Sequence, residues 1–322
     1  MRVTNPDAFH WPAKRYPFFE GYYYKLYSAR QDRTLAFIPG VFDNGIEADS
    51  HAFLQVLDSQ GNRYRYLRSP VSELVPSGTG FDLRLGNSRF RLDSCALDVR
   101  RADAEITGTV NLSGIIPWPK LPFSRGTMGP FGYLPFLEDY HQVCALHARL
   151  GGSISLDGEA IDFTDGYGYI EKDLGRSFPR SWIWLQSVFP DAPQSSVFLS
   201  LAEVPLGKLV FKGFLACVLF QGTPRVFATY TGASCRASRD GGLVRIELAG
   251  FRSRAVLTID RSQASYIKCL APTSGQMQPR DDESLDASIS VELYRGENLI
   301  ARLFSDRCAL EVVNFFREKG RS

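Results

Sequence analysis

Short runs of aromatic and β-branched residues recur along this chain between Gly, Asp, Asn and Pro turn signals, and few segments carry the apolar period of a helix. That punctuation belongs to sandwiches and barrels, not to alternating strand and helix. Two hairpins stand out. Leu54–Leu57 and Tyr64–Leu67 flank Asp58-Ser59-Gln60-Gly61-Asn62, and Gly152–Leu156 and Ala160–Phe163 flank Asp157-Gly158, the stronger signal because Asp-Gly suits a two-residue turn. Further strands are predicted at 81–85, 90–92, 196–201, 210–219, 226–229, 243–248, 255–259, 288–294 and 309–315.

At 322 residues the chain exceeds the usual size of one hydrophobic core, so two domains or one large all-β unit is expected. A hydrophobic fraction of 44% and a charged fraction of 22% fit a folded globular protein. The 23 Phe and 14 Tyr, against 3 Met, favour sheets and flat-walled pockets. A net charge of +2, with no basic block interleaved with aromatics, argues against a nucleic-acid partner. The N-terminus lacks the apolar core of a signal peptide, and the longest greasy stretch, Phe214–Phe220, is too short to span a bilayer. A cytoplasmic location is therefore expected, with peripheral membrane contact left open. Cys95, Cys144, Cys217, Cys235, Cys269 and Cys308 form no Cys-x-x-Cys pair and read as reduced core thiols.

Pro117 to Pro135 holds too many prolines for a central strand and reads as a loop over something apolar, either a lid or a strap between domains. Gly175 and Pro179 interrupt two strand-like stretches and mark a domain boundary.

Three segments carry a resemblance: Phe18-Phe19-Glu20-Gly21-Tyr22-Tyr23-Tyr24-Lys25, the long run from Tyr169-Ile170-Glu171-Lys172-Asp173-Leu174-Gly175 through Trp182-Ile183-Trp184-Leu185-Gln186, and Leu270-Ala271-Pro272-Thr273. With Phe136-Leu137-Glu138-Asp139-Tyr140-His141-Gln142, they resemble the tocopherol cyclase family in order and position. Tyr22 and Leu174 stand where the family pattern has Trp. The resemblance implies an all-β protein of two lipocalin-like antiparallel β-barrels packed together, with few short helices; we place them at residues 1–178 and 179–322. For plant members it implies closure of a chromanol ring from a prenylated hydroquinone, without a cofactor.

Such a closure needs a proton delivered to an alkene, a tertiary cation held briefly, and a phenol oxygen to trap it. The site must join a carboxylic acid kept protonated by apolar surroundings to aromatic faces, and must exclude water. Strand alternation sets Glu20 on one side with Phe18, Tyr22 and Tyr24; Tyr167, Tyr169, Glu171 and Asp173 share a face, with Ile170, Lys172 and Leu174 on the other. Trp182, Trp184 and Gln186 line one face downstream. The catalytic candidates are Glu171, Asp173 and Glu20. The substrate-binding candidates are Tyr22, Tyr24, His141, Tyr169, Trp182, Trp184 and Gln186. The plainer role is that Glu20, Glu171 and Asp173 pair with Lys25, Lys172, Arg176 or Arg180 and stitch strands together. Gly21, Gly168 and Gly175 read as structural.

His141, Cys144 and His147 do not converge on a strand or a helix, so no metal site is expected. Serine-hydrolase, phosphate-loop and dinucleotide fingerprints are missing from the sequence. Three functions compete: a cofactor-independent cyclase, isomerase or hydratase acting on a prenylated or polyene substrate; a non-catalytic carrier of a lipid, quinol or pigment; and a shell that templates a pericyclic closure by shape alone. In each case the partner is a hydrophobic small molecule.

Overall fold

The structure, a computed structural model, describes residues 5–12, 15–78, 80–120, 124–135, 137–206 and 209–316. Of the segments read above, residues 1–4, residues 121–123 and Phe136 lie outside these. The chain divides into two compact units, Met1–Phe178 with Leu270–Pro279, and Pro179–Cys269 with Arg280–Ser322.

In unit 1, β1 (Phe18–Ser28), β2 (Arg33–Asp43), β3 (His51–Asp58) and β4 (Arg63–Ser69) form one meander, and β5 (Leu74–Pro76), β6 (Asp82–Leu85), β7 (Ser88–Arg91), β8 (Ser94–Arg101) and β9 (Ala104–Ile116) a second. β10 (Asp139–Leu156), β11 (Glu159–Asp162) and β12 (Tyr167–Gly175) join them into a sheet ordered β4-β3-β2-β1-β12-β10-β9-β8-β7-β6-β5, with β11 on β10. The β10–β11 hairpin turns at Asp157-Gly158 with φ of 54° and 86°, the left-handed pair that a two-residue turn requires. The β3–β4 turn holds a buried carboxylate: Asp58 accepts from Arg33 at 2.8 Å and from Arg63 at 2.7 Å.

The interior of unit 1 is a filled core. On β1 it takes Phe18, Tyr22, Tyr24 and Leu26, and on β12 Ile170 and Leu174. The Tyr22 ring lies tilted 4.0 Å from that of Phe81, and the Tyr24 ring 5.7 Å from that of Phe90. The Tyr22 hydroxyl donates to the Asp7 carbonyl at 2.7 Å, and that of Tyr24 to the Arg91 carbonyl at 2.9 Å. Rings and hydroxyls that sequence alternation offered to a ligand are engaged in packing.

Unit 2 contains β13 (Trp182–Val188), β14 (Ser196–Leu206), β15 (Leu209–Phe220), β16 (Thr223–Ala228), β17 (Ser234–Asp240), β18 (Leu243–Ala249), β19 (Ser253–Asp260), β20 (Ile267–Thr273) only as far as Cys269, β21 (Gln276–Arg295) from Arg280 onward, and β22 (Asn298–Val313). Its antiparallel sheet runs β16-β15-β14-β13-β22-β21-β19-β18-β17, with β20 on β21. The tip of the β20–β21 hairpin belongs to unit 1: the Leu270 amide donates to the Tyr64 hydroxyl at 3.0 Å, and the Phe178 amide to the Pro272 carbonyl at 2.9 Å. Met277 packs there on Phe19, Phe42 and Phe53. The third motif of the sequence thus clasps the first unit.

Helix is scarce: among the described residues it amounts to short 3-10 turns, the longest a kinked segment, Gly126–Tyr133, inside the proline-rich loop between β9 and β10. That loop lies wholly within unit 1, so it does not connect the units. No described helix is long and apolar enough to cross a membrane. All six cysteines are free, five of them buried.

Candidate active site

β12 lies between β1 and β10 and carries ionisable groups on both faces. Antiparallel partners share a face, and the register pairs Tyr22 with Lys172, Glu20 with Leu174, and Tyr23 with Glu171. Lys172 and Glu20 therefore point inward, while Glu171 and Asp173 point outward. Alternation read the sides of each strand as the structure shows them. It does not place Glu20 in one site with Glu171 and Asp173, because the sheet stands between them.

Inside, the Glu20 carboxylate is fully buried and fully used. It accepts from Lys172 Nζ at 2.9 Å and from the backbone N–H groups of His10 and Trp11 at 2.6 and 3.0 Å, and it lies 2.9 Å from His10 Nδ1. Lys172 also donates to the Ala8 carbonyl. Burial pushes the Glu20 carboxyl up, but Lys172 and His10 outweigh it and hold the group below the usual carboxylate range. Glu20 is thus an ionised carboxylate that ties the 5–12 segment to the barrel, a poor form for a proton donor.

Outside, the β10–β12 register sets His141 opposite Asp173 and Val143 opposite Glu171. His141 Nδ1 lies 2.6 Å from Asp173 Oδ1, and Nε2 lies 3.2 Å from Glu171 Oε2. The Tyr169 hydroxyl donates to Glu171 Oε2 at 2.5 Å. His141, Glu171 and Tyr169 are buried, with 8%, 4% and 1% of their surface exposed. Burial alone would strip the imidazole of its proton. Asp173 and Glu171 reverse this and raise His141 well above the ordinary histidine value, which favours an imidazolium hydrogen-bonded to Asp173 through Nδ1 and ion-paired with Glu171. Tyr169 stays a phenol, raised by burial and by the Glu171 charge.

Asp139 extends the array. It stands opposite Gly175, two residues from His141 on the same face. Its Oδ1 is enclosed and has no hydrogen-bond partner among the described residues. Asp139 is half-buried as a residue, and burial of its carboxyl first, then the Asp173 charge, lift that group well above the ordinary carboxylate range, which favours its neutral form. Gly175 permits this close pairing, since a Cβ there would sit 2.1 Å from the Glu138 carbonyl oxygen. Asp139 is not among the site candidates read from the sequence. Its signal was the parity it shares with His141 on β10.

Tyr140, His141, Gln142 and Leu174 also line a hollow with Pro6, Arg125, Met128 and Gly132, and the His141 backbone amide lies 3.3 Å from Met128 Sδ, so part of the proline-rich loop packs on this end of β10. His141, Glu171 and Asp173 bring three ligand atoms within 4.8 Å of one another. Distance alone would admit a divalent cation, a grouping that sequence spacing did not reveal. Both imidazole nitrogens already face carboxylates, however, and a cation must first displace the ring proton.

Trp182, Trp184 and Gln186 share a face of β13, opposite Ile183 and Leu185, which enter the core of unit 2. All three are buried, and Trp182 Nε1 donates to Glu311 at 2.6 Å. Tyr22 and Tyr24 lie in the filled interior of unit 1 and not with His141 and Tyr169.

A family model described as "Tocopherol cyclase-like" matches residues 97–313. The chain is 33% identical over 201 residues to "Tocopherol cyclase, chloroplastic" of Zea mays, a match covering 58% of this chain and 41% of that protein. The chain therefore spans under half the length of this relative. CghA, solved with Sch210972, superposes with a TM-score of 0.62 at 11% identity, covering 92% of this chain and 88% of that one. Kievitone hydratase from Nectria haematococca covers 92% and 89%, with a TM-score of 0.50 at 12% identity. At such identities the likeness is one of fold, and it bears out the all-β, lipocalin-like architecture expected from the sequence.

Proposed function

We propose that this chain, which belongs to the tocopherol cyclase-like family, is a cofactor-independent acid catalyst that closes a ring in, or hydrates, an unsaturated hydrophobic substrate such as a prenylated hydroquinone. The observation that carries this reading is the buried, proton-loaded array on the outer face of β12, with His141 held between Glu171 and Asp173 and Asp139 beside them. Its chemistry matches the reaction class. A proton leaves the array for the less substituted alkene carbon, and a tertiary cation forms on the neighbouring carbon. A phenol oxygen of the same molecule, or a water, bonds to that carbon and returns its proton to the array. Ring closure is then an isomerisation, and hydration a net addition of water.

Asp139 has the features of the donor, because a neutral carboxyl gives up a proton more readily than a doubly paired imidazolium. Glu171, Asp173 and His141 reload it and accept the proton returned. Two relatives support the reading by their names alone, one a cyclase and one a hydratase. The two departures from the family pattern, Tyr22 and Leu174, both fall in the filled interior, so they bear on packing more than on the array.

The test is turnover of a panel of prenylated hydroquinones and hydroxylated isoprenoids in deuterated water. One deuteron on the former alkene carbon of a cyclised or hydrated product is expected, with a loss of roughly 10²-fold or more in Asp139→Asn. Absence of product across the panel, with a stoichiometric unchanged ligand seen by native mass spectrometry, would replace the enzyme with a carrier.

A further inference from the structure

We propose that one end of unit 2 docks on an anionic lipid bilayer with Phe251 as the inserted side chain. Phe251 occupies the turn between β18 and β19 and is 93% exposed, the highest value for any large apolar side chain among the described residues. Such turns favour small polar residues, so a bare ring at the tip needs a reason.

A second turn lies beside it. Ser253 pairs with Arg295, and the Gly296 amide donates to the Arg252 carbonyl at 3.1 Å, which sets the β21–β22 turn against the Phe251 turn. Just past that turn, β22 adds Leu299, 41% exposed and paired with Tyr294.

The charges around these two turns are one-sided. Arg252, Arg254 and Arg295 are exposed, and Arg225 is near enough to Arg295 to be repelled by it. Glu297 is the single carboxylate in the two turns. The next acids along the strands are already paired, Glu247 with Arg245 and Glu292 with Arg302, both at 3.1 Å. The Arg252 guanidinium lies 5.3 Å from the Phe251 ring centroid and that of Arg254 3.9 Å from Tyr294, so apolar and basic groups share one tip.

A protruding ring with a collar of arginines suits a surface that is negative outside and greasy beneath. A nucleic acid is matched less well, because single-strand binders use a groove with several stacking platforms, and a single convex tip offers neither. Docked this way, the protein would meet apolar molecules dissolved in the bilayer, whether or not it transforms them.

The experiment is co-sedimentation of the full chain with phosphatidylcholine vesicles, with and without phosphatidylglycerol, across a salt series. We expect binding only to the anionic vesicles and weakening with salt, because screening shortens the reach of the arginines. Phe251→Ser should reduce binding about tenfold, and Arg252→Ser/Arg295→Ser should abolish the preference for phosphatidylglycerol. Phe251→Trp should shift its emission to the blue on vesicle addition, which separates insertion from loss of fold. The proposal is overturned if the chain ignores anionic vesicles, if both variants bind like wild type, if the tryptophan emission does not move, or if an oligonucleotide displaces the vesicles.

Discussion

The two faces of β12 carry the same kinds of group and put them to opposite uses. Inward, Lys172 and Glu20 form a closed ion pair in a filled core, every acceptor met by a donor. Outward, two carboxylates flank one imidazole while a third carboxyl, pushed toward its neutral form, has an oxygen with no hydrogen-bond partner among the described residues. A matched pair has nothing to exchange, whereas an array with more acids than cations stores protons. Burial is common to both faces. The count and order of partners decide which one can do acid chemistry.

The comparison breaks most forcefully at the inner pair. Lys172→Met leaves the Glu20 carboxylate buried without its cation and should cost about 3–5 kcal/mol, read by urea denaturation; Glu20→Gln/Lys172→Met should recover a large part of that. A single variant as stable as wild type would make the inner face no more structural than the outer. On the outer face, Asp173→Asn removes one carboxylate from His141 and should lower turnover roughly 10²-fold while moving the urea midpoint less than Lys172→Met does. If the midpoint drops and turnover survives, the array is a staple.

Stability against pH sharpens the contrast. His141 is raised in the folded state, so its contribution is complete below about pH 6.5, where a free imidazole titrates, and is lost as pH climbs through its native value. Glu20 is lowered, so its contribution holds above the ordinary carboxyl value and fades as pH falls through its native one. His141→Gln should flatten the alkaline limb and leave the acid limb; equal alkaline losses in variant and wild type would refute the assignment. The smallest effect is at Tyr169→Phe, which removes one donor from Glu171 and should cost about 1.5–3 kcal/mol by the same denaturation assay.

Much of this was legible from alternation and turn chemistry. Asp157-Gly158 marked its hairpin, and the parity of Tyr169, Glu171 and Asp173 against Lys172 and Leu174 is the parity observed. Alternation cannot tell which face turns inward when both are buried, and β12 is buried on nearly every residue. It also cannot tell which strand lies alongside. His141 meets Asp173 across 32 residues of chain, a pairing that local propensity does not encode. Glu20 looked like a lone acid among rings because its partners are His10, Trp11 and Lys172, in segments that no periodicity joins.

The most direct test of a proton store on the outer face is nitrogen NMR of the histidine side chains at neutral pH, with His141 assigned by its loss in His141→Gln. We predict both ring nitrogens of His141 protonated, and still so well above the pH at which a free imidazole titrates. A neutral ring at neutral pH, with one bare nitrogen, would contradict the account.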